Sequence, residues 1–118
     1  VTDAMTAAGM APGRYFIGGV EAIVEDGIAR LPDNSAYASS VTTMDVCVRN
    51  AVERIGLTLR DAVRMASLTP ATVIGGQRRK GSLEAGKDAD VVIMDANANV
   101  RTTMVRGEVA YQSEEPAN

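Results

Sequence analysis

Histidine is absent from this 118-residue chain. That excludes a Ser-His-Asp triad and a self-contained zinc site built on imidazole, and the single cysteine, Cys47, cannot make up a ligand set in its place. One cysteine also excludes an internal disulfide. Its apolar neighbours predict a small buried hydrophobe rather than a nucleophile. Tryptophan is absent as well and Phe16 is the one phenylalanine, so the core has to be built from Val, Ile, Leu, Met and Ala. There is no excess of positive charge: 12 basic residues against 15 acidic ones give a net −3. The densest basic run, Arg78-Arg79-Lys80, reads as a short solvated loop, so no nucleic-acid partner is expected. No apolar run approaches membrane-spanning length, and no membrane partner is expected either. No secretory leader is recognised, which predicts a cytoplasmic location. Val1 stands where a Met would open a complete chain, and the expectation is a piece of a longer polypeptide.

What remains is a globular composition, 46% hydrophobic and 23% charged, long enough for one modest core. Residues 1–13, rich in Ala, Gly, Met and Pro, read as a strand end running into a loop. Residues 14–31 read as β structure. A short strand over 14–17 is broken at Gly18-Gly19, and a hairpin over 20–25 and 28–31 turns at Asp26-Gly27, a pair suited to the positive φ of a two-residue turn. Residues 32–43 are polar and loop-like, with Thr42 or Thr43 placed to cap the helix that follows.

The segment 44–76 is helical. Met44, Cys47, Val48, Ala51, Val52 and Ile55 recur at helical spacing, and Gly56 ends the stripe. Thr58 followed by Asp61 predicts the cap of a second helix, whose buried face is Leu59, Ala62, Val63 and Ala66. Asp45 and Asp61 suit first-turn positions, where a carboxylate favours the helix dipole. Thr69-Pro70 predicts an N-cap followed by Pro at the first position of a third, short helix ending at Gly75-Gly76. Met5, Met44 and Met65 are expected as core fillers, and Arg49 on a solvated helix face. Residues 77–112 return to β structure: a strand over 89–94, then a hairpin over 100–105 and 108–111 about Arg106-Gly107. A polar tail is expected over 113–118. The fold class is therefore α/β, of α+β type within this chain.

Three segments together resemble one family. They are Val1-Thr2-Asp3-Ala4-Met5; Ser39-Ser40-Val41-Thr42-Thr43-Met44-Asp45 followed by Val48-Arg49-Asn50; and Met65-Ala66-Ser67-Leu68-Thr69-Pro70-Ala71 followed by Gly81-Ser82-Leu83-Glu84-Ala85-Gly86-Lys87-Asp88-Ala89-Asp90. The last is similar to amidohydrolases in general. The first two, in this order, resemble N-acetylglucosamine-6-phosphate deacetylases, over nearly the whole chain but only about the last third of such an enzyme.

The resemblance implies the C-terminal piece of a TIM-barrel amidohydrolase with strands of its small composite β-sandwich domain. Residues 1–13 would hold the end of the last barrel strand and the catalytic loop, and the helices would pack outside the barrel. Chemistry in such barrels sits at the C-terminal ends of the strands, where Asp3 falls. The implied reaction hydrolyses N-acetylglucosamine 6-phosphate to glucosamine 6-phosphate and acetate, with Asp3 as base and then acid. A divalent metal, zinc or similar, activates the water in the full-length family.

The resemblance further implies a substrate loop over 32–43, with Tyr37, Ala38 and Ser39 as substrate-binding residues acting largely through backbone groups. Here Tyr37 stands where the family commonly has Leu, and Ser39 where it has Gly. The family's metal ligands lie upstream of Val1, so no metal is expected to bind this chain alone, and the isolated chain is expected to be inactive. Apolar faces made to pack on a barrel predict self-association into a homo-oligomer. Two other readings stay open: a related amidohydrolase with another substrate, and a non-catalytic self-associating module derived from this piece.

Overall fold

The structure is a computed structural model that describes residues 1–114. Of the polar tail expected over 113–118, residues 115–118 lie outside the described residues. The fold is mixed α/β, with two separate sheets and three helices among the described residues. It divides into two compact units, residues 1–47 and 48–118.

The first unit is built on a four-stranded antiparallel sheet in the order β1 (Gly13–Ile17), β2 (Val20–Glu25), β3 (Ile28–Arg30) and β4 (Tyr37–Ser39). Alternation along β1 and β2 sorts the side chains between two faces. Tyr15 pairs with Ala22 and Gly13 with Val24, which directs Tyr15, Ala22 and Val24 to one side. Met5 and Ala7, from the segment before β1, join Ala22, Val24 and Ala29 in a small core, with Tyr15, Ile17, Ala38 and Val41 packed against it. The opposite face carries Phe16, 65% exposed, and the Arg14–Glu21 ion pair at 2.7 Å. The β2–β3 turn has φ 51° at Asp26 and 73° at Gly27, the two positive values that let a two-residue turn follow the twist of its strands.

Residues 37–39 differ from the expected loop. They form β4, in register with β3 through Ala29↔Ser39 and Arg30↔Tyr37, with a bulge between. Three residues carry no periodicity of their own; the free edge of β3 recruits them by supplying hydrogen-bonding groups that an isolated loop lacks.

Helix α1 runs Met44–Glu53 and is followed by Gly56 at φ 81°. In the second unit, Val48 of α1, Ala62 of α2 (Leu59–Ala66) and Ala98 form a core, with Ala51, Val52, Val63, Ala66 and Met94 against it. The core stripes are narrower than the periodicity predicts. Ile55 is 72% exposed and Leu59 and Met44 are also exposed, because each lies at a helix end beyond the packed middle turns. Met65 is exposed too, so of the three methionines expected in the core only Met5 is buried. Cys47 is free and half-buried rather than buried.

Thr58 caps α2 as expected, accepting from the Asp61 N–H at 3.1 Å. The third helix, α3 (Leu68–Val73), begins two residues earlier than Thr69-Pro70 suggests. Ser67 is its N-cap residue and donates its hydroxyl to the Val63 carbonyl at 2.7 Å, and Pro70 sits third in the helix. The first-turn N–H groups have no intrahelical partner, so Pro is as acceptable there as at the first position.

The second sheet is antiparallel, β5 (Val91–Met94), β6 (Val100–Val105) and β7 (Glu108–Gln112), with Arg106 and Gly107 at φ 52° and 83° in the β6–β7 turn. The basic run before it is exposed, as expected, but two of its three residues are paired. Arg79 pairs with Asp88 at 2.9 Å, and Lys80 with Asp88 at 3.2 Å and with Asp90. Among the described residues no helix is long and apolar enough to cross a membrane.

Candidate functional site

The four residues singled out in the sequence, Asp3, Tyr37, Ala38 and Ser39, converge at one edge of the first unit. Two hydrogen bonds and one β-bridge tie the Asp3 segment to the end of β4 there. The Met5 N–H donates to the Ser40 carbonyl at 2.8 Å. Ala4 forms a parallel bridge with Ser40. The Ser39 hydroxyl donates to the Asp3 carbonyl oxygen at 2.9 Å. The segment bearing Asp3 thus runs alongside the end of β4 in parallel, whereas the named strand pairs among the described residues are antiparallel.

Asp3 has φ 51°, in the left-handed region. Aspartate enters that region more readily than most residues. Its backbone is fixed through Ser39, while its residue surface is exposed and its carboxylate has no hydrogen-bond partner among the described residues. A carboxylate left open on an anchored backbone is able to accept and return a proton.

The three residues of β4 differ in what their side chains do. Ala38 packs on the core of Met5, Ala7, Ala22, Val24 and Ala29. Tyr37 is 70% exposed, and the Arg30 guanidinium lies over its ring, 4.7 Å from the centroid. A cation over an aromatic face is held by the ring's quadrupole. Ser39 turns its hydroxyl to Asp3. Arg30 is the residue that the sequence reading missed here. Its signal was the β3–β4 register, which sets it opposite Tyr37 and which appears only once residues 37–39 are known to be a strand.

The site does not fit a metal on its own residues. Among the described residues no three of His, Cys, Asp or Glu come together, and the chain has no histidine. A metal serving this site would have to be held by groups from outside the chain.

A model of the amidohydrolase family matches residues 19–110. The N-acetylglucosamine-6-phosphate deacetylase of Mus musculus is 39% identical over 115 residues, covering 98% of this chain and 28% of that protein. The N-acetylgalactosamine-6-phosphate deacetylase of Escherichia coli O157:H7 is 41% identical over 110 residues, covering 93% of this chain and 29% of that one. The crystal structure of N-acetylglucosamine-6-phosphate deacetylase from Pasteurella multocida is similar with a TM-score of 0.87 and 34% identity, covering 92% of this chain and 28% of that chain. The chain therefore spans under a third of the length of these relatives.

Proposed function

The chain belongs to the amidohydrolase family, and on that premise we propose that it is the C-terminal part of a deacetylase that hydrolyses the N-acetyl group of N-acetylglucosamine 6-phosphate. In that reading the segment 1–13 holds the end of the last strand of a TIM-like barrel and the catalytic loop, and the helices pack outside the barrel. The two sheets contribute to a small β domain completed by other parts of the protein. The parallel bridge between Ala4 and Ser40 supports a barrel strand there, since barrel strands are parallel.

The reaction breaks the amide C–N bond and forms a C–O bond to water, releasing acetate and the amino sugar. Asp3 takes a proton from the attacking water and returns one to the departing nitrogen, ending as it began. Tyr37, Ala38 and Ser39 line the sugar through backbone groups. The observation that carries this reading is the convergence of Asp3 and β4, 36 residues apart in sequence, through the Ser39–Asp3 hydrogen bond. A divalent metal supplies water activation in such enzymes; the described residues assemble no ligand set for one, and in this reading residues outside the chain would hold it. The reading carries with it a cytoplasmic setting and self-association of the chain.

A second reading differs only at the sugar. The 41% identity to an N-acetylgalactosamine-6-phosphate deacetylase, beside 39% to a gluco enzyme, supports the epimeric substrate about as well. Both are tested by one hybrid, the Pasteurella multocida deacetylase with residues 1–114 of this chain in place of its matching segment. Acetate release from the gluco sugar at the higher kcat/KM supports the first reading, and from the galacto sugar the second. A folded, metal-loaded hybrid releasing acetate from neither defeats both.

A further inference from the structure

We infer that the Ser39 hydroxyl is a positioning group for Asp3, and that it acts on the catalytic carboxylate through the backbone rather than on the sugar. The inference rests on the proposed role of Asp3. The 2.9 Å bond from the Ser39 hydroxyl to the Asp3 carbonyl oxygen assigns that hydroxyl to the backbone of the proton-transfer residue.

Two further features give the bond its consequence. Asp3 sits at φ 51°, a region that aspartate enters more readily than most residues but that still costs more than an extended conformation, so a tether there helps to hold it. Its neighbours on the C-terminal side are tied to the same short segment, Ala4 by the bridge to Ser40 and Met5 by its N–H bond to the Ser40 carbonyl at 2.8 Å. The Ser39 bond adds a side-chain tie to that pairing at the Asp3 carbonyl. It fixes the carbonyl end of the residue while the carboxylate stays open. A general base must hold its geometry within a fraction of an ångström to keep its rate, so a tether at this point bears on turnover. Since the hydroxyl hydrogen is committed to Asp3, the hydroxyl has no proton left to donate to a sugar oxygen.

The test uses the Pasteurella hybrid and two variants, Ser39→Ala, which removes the hydroxyl, and Ser39→Thr, which keeps it on a residue suited to a strand. For Ser39→Ala the expected result is a fall in kcat of about 2- to 10-fold, the factor from losing one neutral hydrogen bond, with KM unchanged and with recovery in Ser39→Thr. The Met5 amide, read by hydrogen exchange, should exchange faster by a similar factor in the Ala variant and not in the Thr variant. A raised KM with unchanged kcat and unchanged Met5 exchange would show that the hydroxyl serves the sugar, and would overturn the inference. Unchanged exchange in Ser39→Ala would overturn it as well. If the unaltered hybrid releases no acetate, the deacetylase reading and the catalytic half of the inference fail together, while the Met5 exchange still decides whether the tether exists.

Discussion

Asp95 and Asn99 close the β5–β6 connection on each other: the Asn99 backbone N–H reaches one carboxylate oxygen of Asp95 and the Asn99 side-chain amide the other, both at 2.9 Å. The Asn97 N–H and the Arg101 guanidinium add two more donors at 2.9 Å. On its far side Asn99 accepts from the Arg49 guanidinium of α1 at 2.9 Å, and Arg49 also donates to the Asn97 carbonyl at 3.0 Å. Arg49 is thus a tie between helix and hairpin within the second unit, in place of the solvated face expected for it.

This arrangement predicts a pH effect. The bonds from Asn99, with those from Asn97 and Arg101, lower the Asp95 pKa from 3.8 to about 2. A carboxyl depressed on folding stabilises the fold above its unfolded pKa, and that stability is lost as pH falls through the folded value. The window is therefore 3.8 down to about 2. Thermal unfolding of the chain and of Asp95→Asn should give separate midpoints at neutral pH, with Asp95→Asn the lower. The two should converge as pH falls to about 2; a gap that stays constant would contradict the assignment.

Thr58 makes a reciprocal cap, accepting from the Asp61 N–H and donating to the Asp61 carboxylate at 2.7 Å. Thr58→Ala should cost about 1 kcal/mol in chemical denaturation, and Thr58→Ser close to nothing.

Gly81 and Gly86 separate two costs of replacing glycine. Their φ values are 90° and 88°, so a side chain at either is strained alike. A Cβ on Gly81 would also lie 2.8 Å from the Leu68 Cα and 2.9 Å from the Ala71 Cβ, whereas one on Gly86 meets nothing within 4 Å. Gly86→Ala should destabilise by about 1 kcal/mol, and Gly81→Ala by about 2–4 kcal/mol because α3 has to move. Equal denaturation midpoints for the two variants would show that the contact with α3 is loose.

How much of this was legible beforehand depends on the range of the signal. The turns at Asp26-Gly27 and Arg106-Gly107 and the cap at Thr58 are written in two to four adjacent residues, and they stand where the sequence puts them. The strand Tyr37–Ser39 was not legible, because its state is set by the edge of β3. The ion pairs of Arg79 and Lys80 were missed for the same reason: their partners Asp88 and Asp90 arrive only when the intervening loop folds back. Asp3 and Ser39 were each named by resemblance, yet their bond spans 36 residues and no local pattern records it.

Phe16, Val20, Val73 and Ile74 are all more than half exposed. Apolar groups in such numbers on a small chain seek cover from a partner. The isolated chain should sediment as a dimer or larger, above its 12.4 kDa monomer mass. A single monomeric species across concentration would contradict this.

The proposed proton transfer by Asp3 is tested most directly by acetate release from the Pasteurella hybrid and its Asp3→Asn variant. Asparagine tolerates the same positive φ, so the backbone and the Ser39 bond are kept while the proton acceptor is lost. Asp3→Asn should lose kcat by about 10²- to 10⁴-fold with substrate still bound. Undiminished turnover in Asp3→Asn would contradict it.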